Sequence, residues 1–141
     1  MGDAGADRLV GQSGNDQLSG GALADMLLGG DGGDFLNGGF GFDRMTGGDG
    51  ADRFFHAGVA GHGTDWVQDF DADEADMLVW GGGAATEGRF QVNYAQTEGA
   101  GDDTAEAFVI DSSSGQVLWA LVDGAGQDIQ LSAGGQVFDL A

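Results

Sequence analysis

Apolar residues recur at every ninth position in the first part of the chain. Six successive nonads run from residue 2 to residue 55, and the eighth position is always apolar: Leu9, Leu18, Leu27, Leu36, Met45 and Phe54. The x-apolar-x tail of each nonad predicts a three-residue strand with one side chain facing inwards. Because one such unit cannot bury its own apolar face, we expect the units to stack.

Glycine and aspartate fill the rest of each nonad. The copy over residues 29–37 shows the full pattern, Gly-Gly-x-Gly-x-Asp-x-apolar-x. The sixth position is acidic in all six copies: Asp7, Asp16, Asp25, Asp34, Asp43 and Asp52. Glycine lets the backbone turn tightly and leaves room for an ion close to the main chain. Carbonyl and carboxylate oxygens are hard donors, which suit calcium with its six to eight ligands.

The composition favours a cation as partner. The chain of 141 residues has 24 acidic residues, four arginines and no lysine, with a formal net charge of −20. Nucleic acid, anionic lipid and acidic polysaccharide all need a basic patch, which the four arginines hardly provide. Cysteine is absent, so disulfides and thiolate metal sites are excluded, and a metal becomes the candidate staple. No apolar run is long enough to span a membrane.

The nonads resemble the RTX, or haemolysin-type, nonapeptide calcium-binding repeat. The resemblance implies an all-β fold, with a right-handed parallel β-roll over residues 2–55 and a C-terminal antiparallel β cap over residues 56–141. In that family two nonads make one coil, and an ion lies between the turns of repeats n and n+2. Repeat n contributes its Asp and the carbonyls of positions two and four. Repeat n+2 contributes its Asp and the carbonyls of positions one and three.

Four sites follow when this ligand set is carried over. The best joins Gly30, Gly32 and Asp34 to Gly47, Asp49 and Asp52. A second joins Gln12, Gly14 and Asp16 to Gly29, Asp31 and Asp34. A third joins Asp3, Gly5 and Asp7 to Gly20, Ala22 and Asp25. The fourth joins Gly21, Leu23 and Asp25 to Gly38, Phe40 and Asp43.

The number of ions depends on how well each turn fits the pattern. Leu23 stands where the turn requires glycine, so we expect three or four calcium ions, bound most weakly near the third repeat. Asp3 and Gln12 replace the second glycine, a milder departure because a carbonyl remains. Burying one apolar side chain contributes roughly 1.5–3 kcal/mol, whereas ordering the backbone costs roughly 1–2 kcal/mol per residue. Calcium-binding energy is therefore expected to act as folding energy. A glycine-rich spacer without metal is the alternative.

Residues 63–70 alternate polar and apolar, which predicts a strand. They resemble the Asp-x-Ile-x-Asp-Phe segment that closes the roll in RTX proteases and lipases, and this likeness implies Asp65 as a ligand of the last turns, with Asp69 as a second candidate. Surface acids on a strand are the alternative.

An EF-hand over residues 69–80 is rejected because Glu74 and Trp80 stand where glycine and glutamate are required. We interpret this stretch as a solvated acidic turn, with a looser calcium contact at Asp71 or Asp73 as the alternative. His56 and His62 are interpreted as packing or surface residues, since no third zinc ligand is evident.

The remaining chain is predicted to form short strands. Met77–Trp80 and Phe90–Tyr94 are single strands, and the two hairpins pair residues 108–110 with 117–122 and residues 128–132 with 136–140. Residues 95–106 are interpreted as a mobile loop. The expected core is formed by Trp80, Phe90, Phe108, Trp119 and Phe138. An aromatic carbohydrate platform at Trp66 or Trp119 is the alternative.

No catalytic motif or nucleophile–base pair is evident. We therefore expect a non-enzymatic calcium-binding module of a larger secreted, extracellular protein, which folds when it meets calcium outside the cell. The chain begins inside the first repeat, which suggests a fragment with an upstream domain. Residues 136–141 resemble a type I secretion signal, so the type I secretion machinery is an expected partner. A carbohydrate-binding accessory module of a polysaccharide-modifying enzyme, similar to those of mannuronan epimerases, is the alternative.

Overall fold

The computed structural model describes residues 4–58, 62–83, 85, 88–95, 105–122 and 127–140. A 3-10 helix spans Ala72–Glu74. The strands of the first half are β1 Arg8–Ser13, β2 Gln17–Ala22, β3 Met26–Asp31, β4 Phe35–Phe40, β5 Arg44–Asp49, β6 Arg53–His56 and β7 Asp65–Val67. Those of the second half are β8 Met77–Trp80, β9 Phe90–Ala95, β10 Glu106–Asp111, β11 Gln116–Leu121, β12 Gln130–Ala133 and β13 Gln136–Asp139.

The strands of the roll alternate between two facing sheets, so that β1, β3 and β5 lie in one sheet and β2, β4 and β6 lie in the other. One has the order β1-β3-β5-β7-β11-β10-β9, and the other has the order β13-β12-β8-β6-β4-β2. Within the repeats, neighbouring strands of a sheet pair in parallel, with Leu9 opposite Leu27 and Leu27 opposite Met45. Equivalent residues of neighbouring strands are therefore two nonads apart, which confirms the predicted all-β fold and its parallel β-roll.

The strands of the roll are longer than the predicted three residues. β1 to β5 have six residues each, because the extended backbone continues into the first positions of the next nonad. By contrast, the strand predicted over residues 63–70 is limited to Asp65–Val67, since the chain bends at Gln68.

A single column of eighth-position side chains fills the space between the sheets. Leu27, Leu36, Met45 and Phe54 are completely buried, while Leu9 at the N-terminal end is only partly covered. The column continues beyond the repeats through Val67, Leu78, Leu121 and Leu131. One side chain per nonad makes this a thin core, so the turns must contribute to stability.

Both sheets continue past residue 55, where the boundary between roll and cap was predicted. β7 and β8 extend the two parallel ladders, and β11 and β12 extend them once more. The β10-β11 and β12-β13 pairs are antiparallel, in agreement with the two predicted hairpins, and β9 also pairs antiparallel with β10. The division into two domains remains a prediction about folding units, since hydrogen-bonded strands cross it on both sheets.

The aromatic residues of the C-terminal half form most of the expected core. Trp119, Trp80 and Phe90 are buried, and Phe138 packs against Phe90 with 6.2 Å between ring centroids. The burial of Trp119 rules it out as a carbohydrate platform. Trp66 is half-buried, edge-to-face against Phe108.

Most of the predicted mobile loop, residues 96–104, lies outside the described residues. Among the described residues, the structure has no helix with the length and apolar character needed to cross a bilayer.

Candidate metal centres

The sixth-position aspartates stack in two columns, one on each side of the roll. The odd column contains Asp7, Asp25 and Asp43, and the even column contains Asp16, Asp34 and Asp52. In both columns the Oδ1 atom of each Asp accepts the backbone N–H of the Asp two repeats earlier, at 2.8 Å. This contact fixes the carboxylate beside the preceding turn, because charge-assisted hydrogen bonds are both short and strong.

The second carboxylate oxygen has no such partner. Oδ2 is buried and lacks a hydrogen-bond partner among the described residues in five of the six aspartates: Asp16, Asp25, Asp34, Asp43 and Asp52. An unpaired buried polar atom costs about 1–3 kcal/mol, and more when it is charged. The same unpaired oxygen repeated at one position in successive turns indicates that these oxygens are suited to bind a cation.

Backbone carbonyls project into the same spaces, as the best candidate site shows. A Cβ placed on Gly29 would lie 2.6 Å from the oxygen of Gly47 and would collide with Asp34 Oδ2. A Cβ on Gly48 would collide with the oxygen of Gly30, and one on Gly50 would lie 2.5 Å from that of Gly32. The carbonyls of one turn thus point at the next turn of the same column, where a calcium ion fits the donor set.

The site between Asp16 and Asp34 has the same construction. The oxygens of Gln12 and Gly14 project towards Gly30 and Gly32. The oxygen of Gly29 approaches Gly11, beside Asp16 Oδ2. The predicted ligands of this site therefore lie around one space. Asp31 and Asp49 also direct their backbone oxygens inwards, accepting the N–H groups of Gly14 and Gly32 at 2.9 and 2.8 Å, while their side chains are exposed.

The two sites of the odd column include the irregular turns. Leu23 adopts a φ of 77°, and its oxygen still projects towards Gly41. Gln12 in the other column behaves in the same way, with a φ of 81°. A non-glycine residue in this region costs roughly 1–2 kcal/mol, so the irregularity strains the backbone without removing the ligand.

The structure shows where several of the other predicted ligands of the odd column lie. The oxygen of Gly38 approaches Gly20 beside Asp25 Oδ2. In the first turn, Gly5 donates its N–H to the oxygen of Ala22 at 3.4 Å, and Asp3 lies outside the described residues.

The electrostatics of the columns also favour a cation. Burial, together with the charges of Asp76, Asp34 and Asp69, raises the pKa of Asp52 to about 7. Burial likewise raises the pKa of Asp34 and of Asp43. Arg8, Arg44 and Arg53 stand at the seventh position, are exposed, and do not enter the columns. A bound divalent ion would reverse these shifts by stabilising the ionised carboxylates.

A seventh, degenerate nonad was missed because it is out of phase. Residues 60–68 read Ala-Gly-His-Gly-Thr-Asp-Trp-Val-Gln, with glycine, aspartate and an apolar residue at the expected positions. Residues 56–59 separate it from the sixth copy, so a fixed nine-residue frame overlooks it. Gly41 donates its N–H to the oxygen of His62 at 3.0 Å, and Asp65 follows Asp43 in the odd column, completely buried.

The other acidic residues after the repeats act as backbone caps. Asp69, predicted as a possible ligand, accepts the N–H groups of Gly47 and Gly48 at 2.8 Å with both carboxylate oxygens. Asp71 caps the 3-10 helix by accepting the N–H of Asp73, whose side chain is exposed. This agrees with a solvated acidic turn in place of an EF-hand.

His56 and His62 lie close to a third potential metal ligand, which the sequence did not reveal. His56, His62 and Asp65 are all buried, and one potential ligand atom of each lies within 4.8 Å of the others. Their burial agrees with a packing role, and the rings of His56 and His62 are 4.6 Å apart between centroids. The assumption that no third ligand is nearby was wrong, because Asp65 comes from the strand that follows the intervening loop.

The geometry thus defines a β-roll of stacked turns that carry oxygen-lined cation sites. Comparison with known proteins agrees: the family model of the RTX calcium-binding nonapeptide repeat, in four copies, matches residues 1–27 and 28–58. Residues 1–58 therefore match the RTX calcium-binding nonapeptide repeat in sequence, and they form the stacked parallel turns described above.

The chain is also similar to the solution structure of the AlgE6R3 subunit of the mannuronan C5-epimerase from Azotobacter vinelandii, at 22% identity and a TM-score of 0.41. That similarity covers 84% of this chain and 78% of the other. No curated protein matches the chain.

Proposed function

We propose that this chain is a calcium-dependent folding module of a larger extracellular protein. The observation that carries the proposal is the repeated buried Oδ2 atom without a partner in five successive sixth-position aspartates. A fold stabilised by apolar packing alone would not place an unpaired carboxylate oxygen in each turn, since each one opposes folding. A cation between successive turns converts every one of these oxygens into a ligand.

Calcium fits these sites better than other common cations. The donors are backbone carbonyls and carboxylates, and the ligand set carried over from the family gives six residues per site. Residues 2–55 contain no cysteine and no histidine, so these turns supply neither a thiolate nor an imidazole of their own. Magnesium demands near-ideal octahedral geometry and keeps several waters, so a cage built from backbone carbonyls selects against it.

Calcium also explains how the module stays unfolded inside the cell and folds outside it. Extracellular calcium modules have a Kd on the order of 10⁻⁴–10⁻³ M, far above the calcium concentration of a cytosol. With a net charge of −20 and a thin core, the metal-free chain is expected to stay unfolded before export. We infer export through a type I secretion system that reads residues 136–141, followed by folding outside the cell. An upstream domain would then supply any catalytic activity.

Calcium titration of the whole chain tests the proposal. Far-UV circular dichroism should show a transition from a largely unfolded chain in chelator to a β-rich fold in millimolar calcium. Isothermal titration calorimetry should give three or four ions per chain. Magnesium at equal concentration is the control and should produce little folding. An equal β signal in chelator and in calcium would show that metal does not drive folding.

A further inference from the structure

The last turn of the odd column differs from the turns before it. In the other turns the third position contributes a backbone oxygen, and its side chain has no part in the site. Here the third position of the degenerate nonad is His62, whose side chain is buried. A nitrogen donor is thus added to a place where the preceding sites have oxygen alone.

Four polar atoms at this turn accept no hydrogen bond of good geometry from the described residues, although the carboxyl groups of Asp43 and Asp65 lie close enough to share a proton. They are His62 Nδ1, both carboxylate oxygens of Asp65, and Asp43 Oδ2. All three side chains are at least nine-tenths buried. Asp43 and Asp65 immediately precede the paired residues Arg44 and Trp66 of β5 and β7, so their carboxylates follow each other in the column.

His56 has a different role in this group. Its Nδ1 accepts the N–H of Gly58 at 2.9 Å, and its Nε2 lies 2.9 Å from the oxygen of Gly63. Both ring nitrogens are thus engaged with the backbone. His56 also packs edge-on against Trp119, at 5.6 Å between ring centroids. It is therefore a positioning residue that supports His62 and the turn around Gly63, while the free ligands are His62, Asp65 and Asp43.

We propose that His62, Asp65 and Asp43 bind a borderline divalent transition metal of the zinc class. Imidazole nitrogen suits zinc and its neighbours, whereas calcium takes oxygen ligands. Zinc binds nitrogen and oxygen at about 2.0–2.2 Å in a tetrahedral arrangement, so two of its ligand atoms lie roughly 3.3–3.6 Å apart. One potential ligand atom of His62 and one of Asp65 lie within 4.8 Å of each other, a separation that small side-chain movements can shorten, and Asp43 lies beside Asp65 in the column. The proposal concerns a different metal from calcium and holds whether or not calcium drives folding.

Cobalt(II) is a suitable probe because it replaces zinc and absorbs visible light when its ligands include nitrogen. The whole chain, first saturated with calcium, should bind one equivalent of cobalt with visible absorption bands. Zinc should remove these bands, and a large excess of calcium should not. The proton NMR spectrum of the cobalt form should contain a strongly shifted imidazole N–H signal, as expected for a histidine ligand. This measurement on the unaltered chain needs no variant.

Variants then assign the ligands. His62→Ala and Asp65→Asn should each weaken cobalt binding at least tenfold, while Glu74→Gln, an exposed acid on the 3-10 helix, should not change it. Circular dichroism in calcium checks that each variant is folded, and His62→Gln replaces His62→Ala if the smaller residue prevents folding. The proposal is overturned if calcium displaces cobalt at comparable concentration, if no imidazole signal is shifted, or if the folded His62 variant binds cobalt like the unaltered chain.

Discussion

Asp76 accepts the backbone N–H of Asp52 at 2.9 Å, in the same way that Asp52 accepts that of Asp34 at 2.8 Å. The first pair is 24 residues apart and the second pair 18. The even column therefore continues past the last regular nonad, although the glycine turn is replaced by the 3-10 helix. The other oxygen of Asp76 accepts the N–H of Asp71 at 2.9 Å, so this last carboxylate is satisfied without a metal ion.

Asp76→Asn should therefore destabilise the calcium-loaded fold without removing an ion. An amide has one acceptor oxygen, so one of the two buried N–H groups loses its partner, at a cost of about 1–3 kcal/mol. Urea unfolding in saturating calcium measures this loss, and calorimetry counts the ions. Asp73→Asn on the exposed side of the same turn is the matched control. A drop in the number of ions for Asp76→Asn would contradict a purely capping role.

Acid should stabilise the metal-free fold. The pKa of Asp52 is raised to about 7, that of Asp76 to about 6 and that of Asp65 to about 9, each mainly by burial, from an ordinary value of 3.8. The folded state then holds protons that the unfolded chain releases. This contribution to stability is fully present below pH 3.8 and is lost as the pH rises through about 6 to 9.

Two measurements check this pH dependence. In chelator, circular dichroism should show more residual β-structure at pH 5 than at pH 8. Calcium must displace these protons, so its midpoint concentration should fall as the pH rises over the same range. A metal-free chain with more β-structure at pH 8 than at pH 5 would contradict the predicted direction of this pH dependence.

The carboxylate of Asp34 should matter far more than that of its neighbour Asp31. Asp34 belongs to two successive candidate sites, whereas the exposed Asp31 is expected to contribute only its backbone oxygen. Asp34→Asn should raise the calcium midpoint roughly tenfold or more, because it removes one negative charge from the ligands of two sites and calcium affinity depends on that charge count. Asp31→Asn should change it little. Equal effects of the two substitutions in a calcium titration would argue against carboxylate coordination by Asp34.

A methyl group in the ion space should block binding. In Gly29→Ala the new Cβ would lie against Asp34 Oδ2 and 2.6 Å from the oxygen of Gly47. We expect the loss of at least one ion per chain by calorimetry. Gly5→Ala is the control, since a Cβ there meets nothing within 4 Å among the described atoms. Normal ion counts in a folded Gly29→Ala chain would exclude this space as the binding site.

Leu23→Gly should stabilise the third repeat. The leucine has a φ of 77° and is 61% exposed, so its removal relieves backbone strain and sacrifices little packing. We expect a gain of about 1 kcal/mol in the calcium-loaded form, since left-handed backbone costs a non-glycine residue roughly 1–2 kcal/mol. Leu23→Ala keeps the Cβ and should give no such gain. Thermal unfolding of both variants in saturating calcium distinguishes the relief of backbone strain from the effect of losing the leucine side chain.

The nonad pattern allows much of the roll to be predicted. Two fixed columns, such as the one through Leu27 and Met45 and the one through Asp25 and Asp43, define both the buried stripe and the acidic turns. Because an eighteen-residue coil imposes parallel pairing in register, the sheets follow from the period alone. The positions of the backbone carbonyls follow as well, since the glycines fix the turn.

Features outside the period could not be predicted in the same way. Asp65 was recognised by resemblance, but its membership of a seventh nonad was hidden by the inserted residues 56–59. Asp76 keeps only the Asp and the apolar Leu78 of the pattern, so nothing local marks it as a column member. The parallel docking of β11 and β12 depends on long-range edge pairing, which hairpin signals within those segments do not encode.

Sharing of carboxylates makes each side of the roll a one-dimensional lattice. Asp25 and Asp34 each stand between two consecutive cavities, so an ion in one cavity fixes a ligand of the next and favours its occupancy. Among the described residues, the hydrogen bonds between these sixth-position aspartates join members of the same side. Calcium occupancy should therefore spread cooperatively along each side, independently of the other side. A damaged turn should interrupt calcium binding on its own side, while the sites of the opposite side still fill.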